Sequence, residues 1–288
     1  MKWPAMGYVR ARNLGALWAA MAQHGPSAQI IAGGQTLLAT LAFRLSEPGT
    51  LIDITRIAEL RGIGVVAGNL RIGALTRHAE LGRDALVREH APLLSEAVPM
   101  IAHPAIRNRG TIGGSLAYAD PAAELPACIV ALDAVVVTAS VSGARRIAAR
   151  DFFTELLQTA LAPGEIIAAV EIPLAPRLSA IQEVARRSGD YAMAGLAAAL
   201  RLEAGRVVAP RLVYFGVGDG PVLAQRASAA LEGRALDATS IAAAQAALAD
   251  DLDPPQDLHG PPEMKRHLAR VLTARVLAGL LPATEIAA

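Results

Sequence analysis

Cysteine is almost absent from this 288-residue chain: Cys128 stands alone in the apolar stretch Ala127-Cys128-Ile129-Val130. A single thiol makes no intramolecular disulfide and no all-cysteine metal site. An iron–sulfur cluster normally takes about four thiolates, so none can be housed by this chain alone. The ordinary role of such a cysteine is that of a small buried hydrophobe. Aromatic residues are scarce, at 3%, so little ring or base stacking on Phe, Tyr or Trp is available. Charge of one sign is missing too. Lys plus Arg number 27 against 26 for Asp plus Glu, a net +1, which excludes the long-range positive field that nucleic-acid binding uses. The short basic clusters at Arg145, Arg146 and Arg150, and at Arg186 and Arg187, read as solvated faces or local anion contacts. No basic-then-apolar leader opens the chain. The most apolar stretch, residues 125–141, is interrupted by Pro126 and Asp133, short of the roughly 18 uninterrupted apolar residues a span requires. The expectation is a cytoplasmic protein with no membrane span.

What the chain does have is a 53% hydrophobic fraction, much of it alanine, enough for one large domain or two to three small ones. Three sections can be made out. In residues 1–60, residues 14–24 have helical periodicity and stop at Gly25-Pro26. Residues 28–32 read as a strand cut off by Gly33-Gly34, and Leu51-Ile52-Asp53-Ile54 as a second strand, giving a small β-α-β unit. In residues 61–175, Val65-Val66-Ala67, a Gly68-Asn69 turn and Leu70-Arg71-Ile72 form a hairpin. A helix is expected over 92–100, then a glycine-rich loop over 109–115. A second hairpin follows at Val135-Val136-Val137 and Arg145-Arg146-Ile147, with a closing strand over 166–172. Past a linker at Leu174-Ala175-Pro176-Arg177, residues 178–288 carry an Ala-rich run over 193–201, a strand-like 211–217 and two helical stretches, the last over 264–281. The fold class is α+β.

Two glycine pairs carry the chemistry. Ile31-Ala32-Gly33-Gly34-Gln35-Thr36-Leu37 follows a strand, and Arg109-Gly110-Thr111-Ile112-Gly113-Gly114-Ser115-Leu116 follows a helix and loop. Adjacent glycines allow successive backbone N–H groups to meet one anion without obstruction by Cβ. The hydroxyls of Thr36, Thr111 and Ser115 can donate to the same oxygens. Two such loops could clamp a pyrophosphate from both sides; spacing alone leaves two plain turns open as the alternative. Gly62-Ile63-Gly64-Val65-Val66-Ala67 fits the G-x-G-x-x-A string, but it enters a hairpin rather than a helix and lacks the mechanics of that fingerprint. Gly216-Val217-Gly218-Asp219-Gly220-Pro221 is a strand-to-loop turn. A dinucleotide would therefore not bind here in Rossmann fashion. There is no nucleophile elbow, P-loop or H-E-x-x-H motif, and the six histidines are dispersed. His103, before Pro104, suits capping or orienting the loop. Asp120 suits the N-cap of a helix with Pro121 in its first turn, and Glu124 could accept from ribose hydroxyls.

With their surroundings, both pairs resemble a known signature. Ala32-Gly33-Gly34-Gln35-Thr36 resembles the first motif of the medium, FAD-binding subunits of the xanthine dehydrogenase and carbon monoxide dehydrogenase family of molybdenum hydroxylases. Thr111-Ile112-Gly113-Gly114-Ser115, continuing through Ala119-Asp120-Pro121-Ala122-Ala123-Glu124-Leu125-Pro126, resembles the second. The similarity extends to Ile72-Gly73-Ala74-Leu75-Thr76, Pro163-Gly164-Glu165-Ile166-Ile167 and Arg186-Arg187-Ser188-Gly189-Asp190-Tyr191-Ala192, and so covers nearly the whole chain.

The resemblance implies a two-subdomain FAD-binding fold of the vanillyl-alcohol-oxidase (PCMH) type over 1–60 and 61–175, and a smaller C-terminal α+β domain over 178–288. It implies noncovalent FAD with its pyrophosphate between the loops, held by Ile31, Ala32, Gly33, Gly34, Gln35, Thr36 and Leu37 from one side. Gly110, Thr111, Gly113, Gly114 and Ser115 would hold it from the other. Ile101, Ala102, Ile106 and Ile167 would pack on the cofactor, Glu124 would touch its adenosine side, and Tyr191 would lie near the isoalloxazine. No side chain is implied as catalytic. The implied partners are a small subunit with two [2Fe–2S] clusters and a large molybdopterin subunit, in a dimer of heterotrimers. Electrons from substrate hydroxylation at molybdenum would pass through the clusters to this flavin and on to an external acceptor. Ala39 departs from the proline of many relatives, and Gln182 and Glu183 lie where some branches place a lysine near the flavin. The run Glu183-Val184-Ala185-Arg186-Arg187 looks like the bacterial branches that oxidise aromatics and heterocycles. Two other functions remain open from sequence: a self-contained flavin oxidase or reductase, and a nucleotide-binding scaffold without redox function.

Overall fold

A computed structural model describes residues 3–280. Its first strand, β1 (Gly7–Arg10), is one the periodicity did not reveal; only Val9 of its four residues is even partly buried. Helix α1 (Leu14–His24) follows, capped by Asn13, which accepts from the Ala16 N–H at 2.8 Å, and stopped by Gly25 at φ 58. Those are the signals the sequence offered. β2 (Ala28–Ile31), α2 (Leu37–Ala42) and β3 (Thr50–Asp53) complete the section. The strands lie parallel in the order β1-β3-β2. The expected β-α-β unit is therefore present, enlarged by β1. The first glycine pair leaves the carboxyl end of β2, the edge at which open parallel sheets hold ligands.

Next come β4 (Ile63–Val66) and β5 (Asn69–Gly73), the expected hairpin. Its turn residues are Ala67 and Gly68, at φ 47 and 76, one position earlier than expected. Two positive φ values make the mirror-image turn that matches strand twist, and the Asn69 side chain donates to the Ala67 carbonyl at 3.0 Å. A helical layer follows: α3 (His78–Leu81), α4 (Ala85–His90), α5 (Pro92–Ala97), α6 (Pro104–Arg107), α7 (Ile112–Tyr118) and α8 (Glu124–Ala131). Three expectations need correction here. The expected loop over 109–115 turns helical at Ile112, so Gly113, Gly114 and Ser115 form the first turn of α7. Glycine is a poor helix former, but Thr111 caps this helix by accepting from the Gly114 N–H. Asp120 is no N-cap: it accepts from the Ala122 N–H at 2.9 Å in a turn ahead of α8, whose cap position is Ala123. His103 precedes α6 without a side-chain cap bond.

β6 (Val135–Ala139), β7 (Arg146–Ala148), β8 (Phe153–Glu155), β9 (Gln158–Thr159) and β10 (Ile166–Pro173) follow. β10 closes the section in sequence yet lies in the middle of the antiparallel sheet β4-β5-β10-β6-β7. Arg145 and Arg146 are spent on Glu165 and Glu171. The remaining chain forms the antiparallel sheet β11 (Leu178–Val184), β12 (Ala194–Glu203), β13 (Arg206–Phe215) and β14 (Val222–Leu223), followed by α9 (Gln225–Ala229), α10 (Ala238–Ala247) and α11 (Pro262–Gly279). The expected end of the last helix at 281 falls outside the described residues.

The Ala-rich run is strand β12, although alanine is depleted in strands. Both of its faces are covered. Ala194, Leu196, Ala198 and Leu200 join the core under the C-terminal helices, while Ala197 and Ala199 join the core built around α5, α7 and α8. Small side chains let helices close on both sides, and a Cβ on Gly195 would collide with the Phe215 ring. The C-terminal sheet thus shares one apolar core with the section before it. Among the described residues, no helix is long and apolar enough to cross a membrane.

Candidate cofactor site

The first loop is a run of main-chain donors with nothing to bind. Among the described residues, the N–H groups of Gly33, Gly34, Gln35 and Thr36 meet no acceptor in the chain. Four consecutive unsatisfied amides ahead of a helix are what an anion requires. Gly34 sits at φ 72, where a side chain would be strained. The Gln35 side chain folds back to donate to the Gly33 carbonyl at 3.0 Å, fixing the turn. Thr36 stands at the cap position of α2 without using its hydroxyl as a cap.

The second loop lies directly against the first. A Cβ built on Gly33 would stand 2.8 Å from the Arg109 carbonyl carbon and 2.9 Å from the Gly110 Cα, and closer still to the Arg109 oxygen. Loops some eighty positions apart in sequence are thus in backbone contact. The amides of the second pair, however, are not free. Ile112 N–H donates to Thr76 O at 3.0 Å and Gly113 N–H to Ala74 O at 2.9 Å. Gly114 N–H donates to Thr111 Oγ1 at 3.1 Å and Ser115 N–H to Thr111 O at 3.0 Å. Two matching amide cups are therefore replaced by one cup and one capped helix start. Gly113 is required by packing, since a Cβ there would stand 2.6 Å from the Ala74 Cβ. What the second loop can present to a ligand is the exposed, side-chain-free Gly114 and the hydroxyls of Thr111 and Ser115.

Behind this loop sit groups that sequence reasoning missed. His78 is buried, and among the described residues neither ring nitrogen has a partner with hydrogen-bond geometry; nor has the Thr76 hydroxyl. A Cβ on Gly110 would touch the His78 ring at 2.9 Å. Burial lowers the imidazole pKa to about 4 against the opposing pull of the nearby Thr111 backbone, and the Arg107 charge adds to the lowering. Thr76, Arg77 and His78 are polar throughout, so the sequence carries no sign that Thr76 and His78 are buried, which tertiary contact sets. Arg107 is the second omission: its Nη1 donates to the carbonyls of Ile101 and Ala102 at 2.8 and 2.9 Å, holding that turn. Ala102 takes φ 41 there. Ile101 and Ile167 share one buried cluster, and Ile106 is half-buried.

The C-terminal sheet reaches this turn through the loop joining β11 and β12. Gly189, at φ 82, lies so close to Ala102 that a Cβ would stand 2.6 Å from its carbonyl oxygen. Tyr191 on the same loop is exposed. Its pKa is raised by partial burial and then by the charges of Asp120, Tyr118 and Glu124. Glu124 is buried; that burial, together with the Glu183 and Asp120 charges, pushes its carboxyl up to about 8. Burial also raises Glu183 to about 7.

Comparison with known proteins gives the family. Residues 4–175 match the family described as the FAD binding domain in molybdopterin dehydrogenase, and residues 179–280 the CO dehydrogenase flavoprotein C-terminal domain. The chain is 41% identical to the 6-hydroxypseudooxynicotine dehydrogenase complex subunit alpha of Paenarthrobacter nicotinovorans, covering 98% of this chain and 96% of that one. A solved chain of carbon monoxide dehydrogenase from Hydrogenophaga pseudoflava superposes with a TM-score of 0.94 at 34% identity, covering 96% of this chain and 98% of that one. One of quinoline 2-oxidoreductase from Pseudomonas putida 86 does so at 0.92 and 38%, covering 97% and 98%. The chain belongs to the FAD-binding medium subunits of the xanthine dehydrogenase and CO dehydrogenase family of molybdenum hydroxylases, and is an oxidoreductase subunit.

Proposed function

We propose that this chain is the electron-transfer subunit of such a hydroxylase, taking electrons from [2Fe–2S] clusters of a small partner subunit and passing them to an external acceptor. The supporting observation is the run of unpaired amides at Gly33, Gly34, Gln35 and Thr36, set against the second loop. That run suits a diphosphate, with the Thr36, Thr111 and Ser115 hydroxyls as further donors. FAD supplies one- and two-electron chemistry when bound, and the protein supplies binding, orientation and exclusion of water. In this reading Ile31, Ala32, Leu37, Gly110, Gly113 and Gly114 shape the diphosphate site. Ile101, Ala102, Ile106 and Ile167 pack on the cofactor, Glu124 touches its adenosine side, and Tyr191 stands near the isoalloxazine.

The three sections 1–60, 61–175 and 178–288 act as two FAD-binding subdomains and a C-terminal domain. The lone cysteine leaves the clusters to the partner, and hydroxylation belongs to a large molybdopterin subunit in a cytoplasmic dimer of heterotrimers. Two of the relatives are named for nitrogen heterocycles, quinoline and a hydroxylated nicotine derivative, which supports a heterocyclic substrate for the complex.

The test is reconstitution. Purified chain should take up about one FAD that unfolding releases unmodified, and the bound flavin should be reduced by substrate only when the two partners are present. Substrate turnover by the isolated chain would contradict the reading in favour of a self-contained oxidase. Bound flavin that stays oxidised in the full assembly would reduce the chain to a scaffold.

A further inference from the structure

Three guanidiniums converge where the C-terminal sheet meets the end of α8. Ser179 of β11, Ala199 of β12 and Arg211 of β13 are direct partners across adjacent strands, so their side chains leave one face of the sheet. Arg201 lies two residues beyond Ala199 on that face, and continuing the Leu178–Leu200 register sets Arg177 opposite it. The face is turned to α8: Arg211 Nε donates to the Val130 carbonyl at 2.9 Å, and Arg177 Nη1 donates to the Leu132 carbonyl. Asp133, just past the helix, pairs with Arg211 Nη1 at 3.2 Å, and Glu203 pairs with Arg201 Nη2 at 3.3 Å. Both carboxylates are mostly in water, 52% and 63% exposed. Arg150, whose charge also reaches Arg211, is paired with Asp151.

The end of α8 accounts for part of this arrangement, since cations suit a helix C-terminus. It leaves the rest unexplained. Among the described residues, Ser179 Oγ, Arg201 Nε and Arg211 Nη2 are buried without a hydrogen-bond partner. All three are donors. Like charges set opposite one another across a ladder repel. Burial lowers the Arg177 pKa; Asp133 opposes this, and the charges of Arg211 and Arg201 add to it. An anion among the three guanidiniums removes both penalties.

We propose that this seam binds a phosphate-like oxyanion, held by Ser179 Oγ, Arg201 Nε and Arg211 Nη2. Guanidinium forks and a hydroxyl match the oxygens of such an ion. Ala199, between Ser179 and Arg211, adds only a methyl to the row, and the Arg201 side chain, 41% exposed, leaves a way in from solvent. The site shares no residue with the amide cup at Gly33, Gly34, Gln35 and Thr36, and it does not depend on the FAD reading. Bound there, the oxyanion offsets the excess of cations and fastens the C-terminal sheet to the end of α8.

The experiment is calorimetric titration of the whole chain with inorganic phosphate in chloride buffer of constant ionic strength. Saturating FAD is present, so that phosphate is not counted at the amide cup. A single phosphate should bind, and it should raise the melting temperature, as a ligand of the folded state does. Arg201→Met, which keeps an apolar stem and removes the guanidinium, should weaken phosphate roughly tenfold or more, and Ser179→Ala roughly two- to tenfold. Melting in phosphate-free buffer checks that each variant folds; where Ser179→Ala does not, Arg201→Met decides alone. Absence of phosphate binding to the wild-type chain overturns the proposal, the buried donors then being satisfied by water. Binding of equal strength in Arg201→Met overturns it too, because the phosphate then sits elsewhere.

Discussion

Replacing Gly33 by alanine isolates the contact on which the cofactor site depends. Gly33 is not in the left-handed region, so the substitution brings no backbone strain of its own. The added Cβ would instead stand 2.8 and 2.9 Å from backbone atoms of Arg109 and Gly110. Backbone cannot rotate aside as a side chain end can, so the loops must part. Overpacking of this kind costs about 1–3 kcal/mol, and a loop pair forced apart no longer presents both sets of donors to one diphosphate. At about 1.4 kcal/mol per factor of ten, FAD affinity should fall roughly five- to 150-fold. Fluorescence titration with FAD measures this, with thermal melting of the FAD-free chain as a check on folding. Gly64→Ala is the control, because no heavy atom lies within 4 Å of its added Cβ. Unchanged FAD affinity in Gly33→Ala, with Gly64→Ala also unchanged, would refute the idea that contact between the loops builds the site.

Other outcomes follow from the same structure. Gly113→Ala should destabilise the chain itself by about 1–3 kcal/mol, because its Cβ meets Ala74 at 2.6 Å in a buried corner; chemical denaturation reads this directly. Arg145 beside Glu165 holds that carboxyl down at about 2, against an ordinary 4.5. The resulting stabilisation is present above pH 4.5 and lost as pH falls toward 2, so the melting temperatures of wild type and Arg145→Ala should converge on acidification. Glu124 shows the opposite sign. Its raised carboxyl binds a proton more tightly folded than unfolded, favouring the fold below pH 4.5 and losing that contribution as pH rises to about 8. Glu124→Gln should flatten the decline in melting temperature across that window. Asp257→Ala strands Lys265, which is 1% exposed, and should cost about 3–5 kcal/mol. Lys265→Met leaves Asp257 able to hydrate and should cost less in the same denaturation assay.

Local grammar made part of this architecture legible. Asn13 and Gly25 bracket α1 because cap and stop are decided within a few residues, and the Ala67–Gly68 turn was nearly located for the same reason. β1 escaped because its apolar content is a single half-buried valine, and its place is fixed by pairing with β3, some forty residues on. The alanines of β12 carry no period of their own; being covered on both faces makes them a strand. At the site, the glycine pairs were visible, but their unlike roles were not. Which amides remain free depends on where Ala74 and Thr76 place their carbonyls, a matter of tertiary contact. His78, Arg107 and the approach of Gly189 to Ala102 were hidden for the same reason.

Amide hydrogen exchange over residues 31–37, with and without FAD, tests the central claim most directly. Without FAD, the N–H groups of Gly33, Gly34, Gln35 and Thr36 should exchange as unprotected amides, while those of Ile112 and Gly113 are already slow; saturating FAD should slow the first four selectively. If those four amides exchange equally fast with FAD bound, the diphosphate is held elsewhere and this account of the site is wrong.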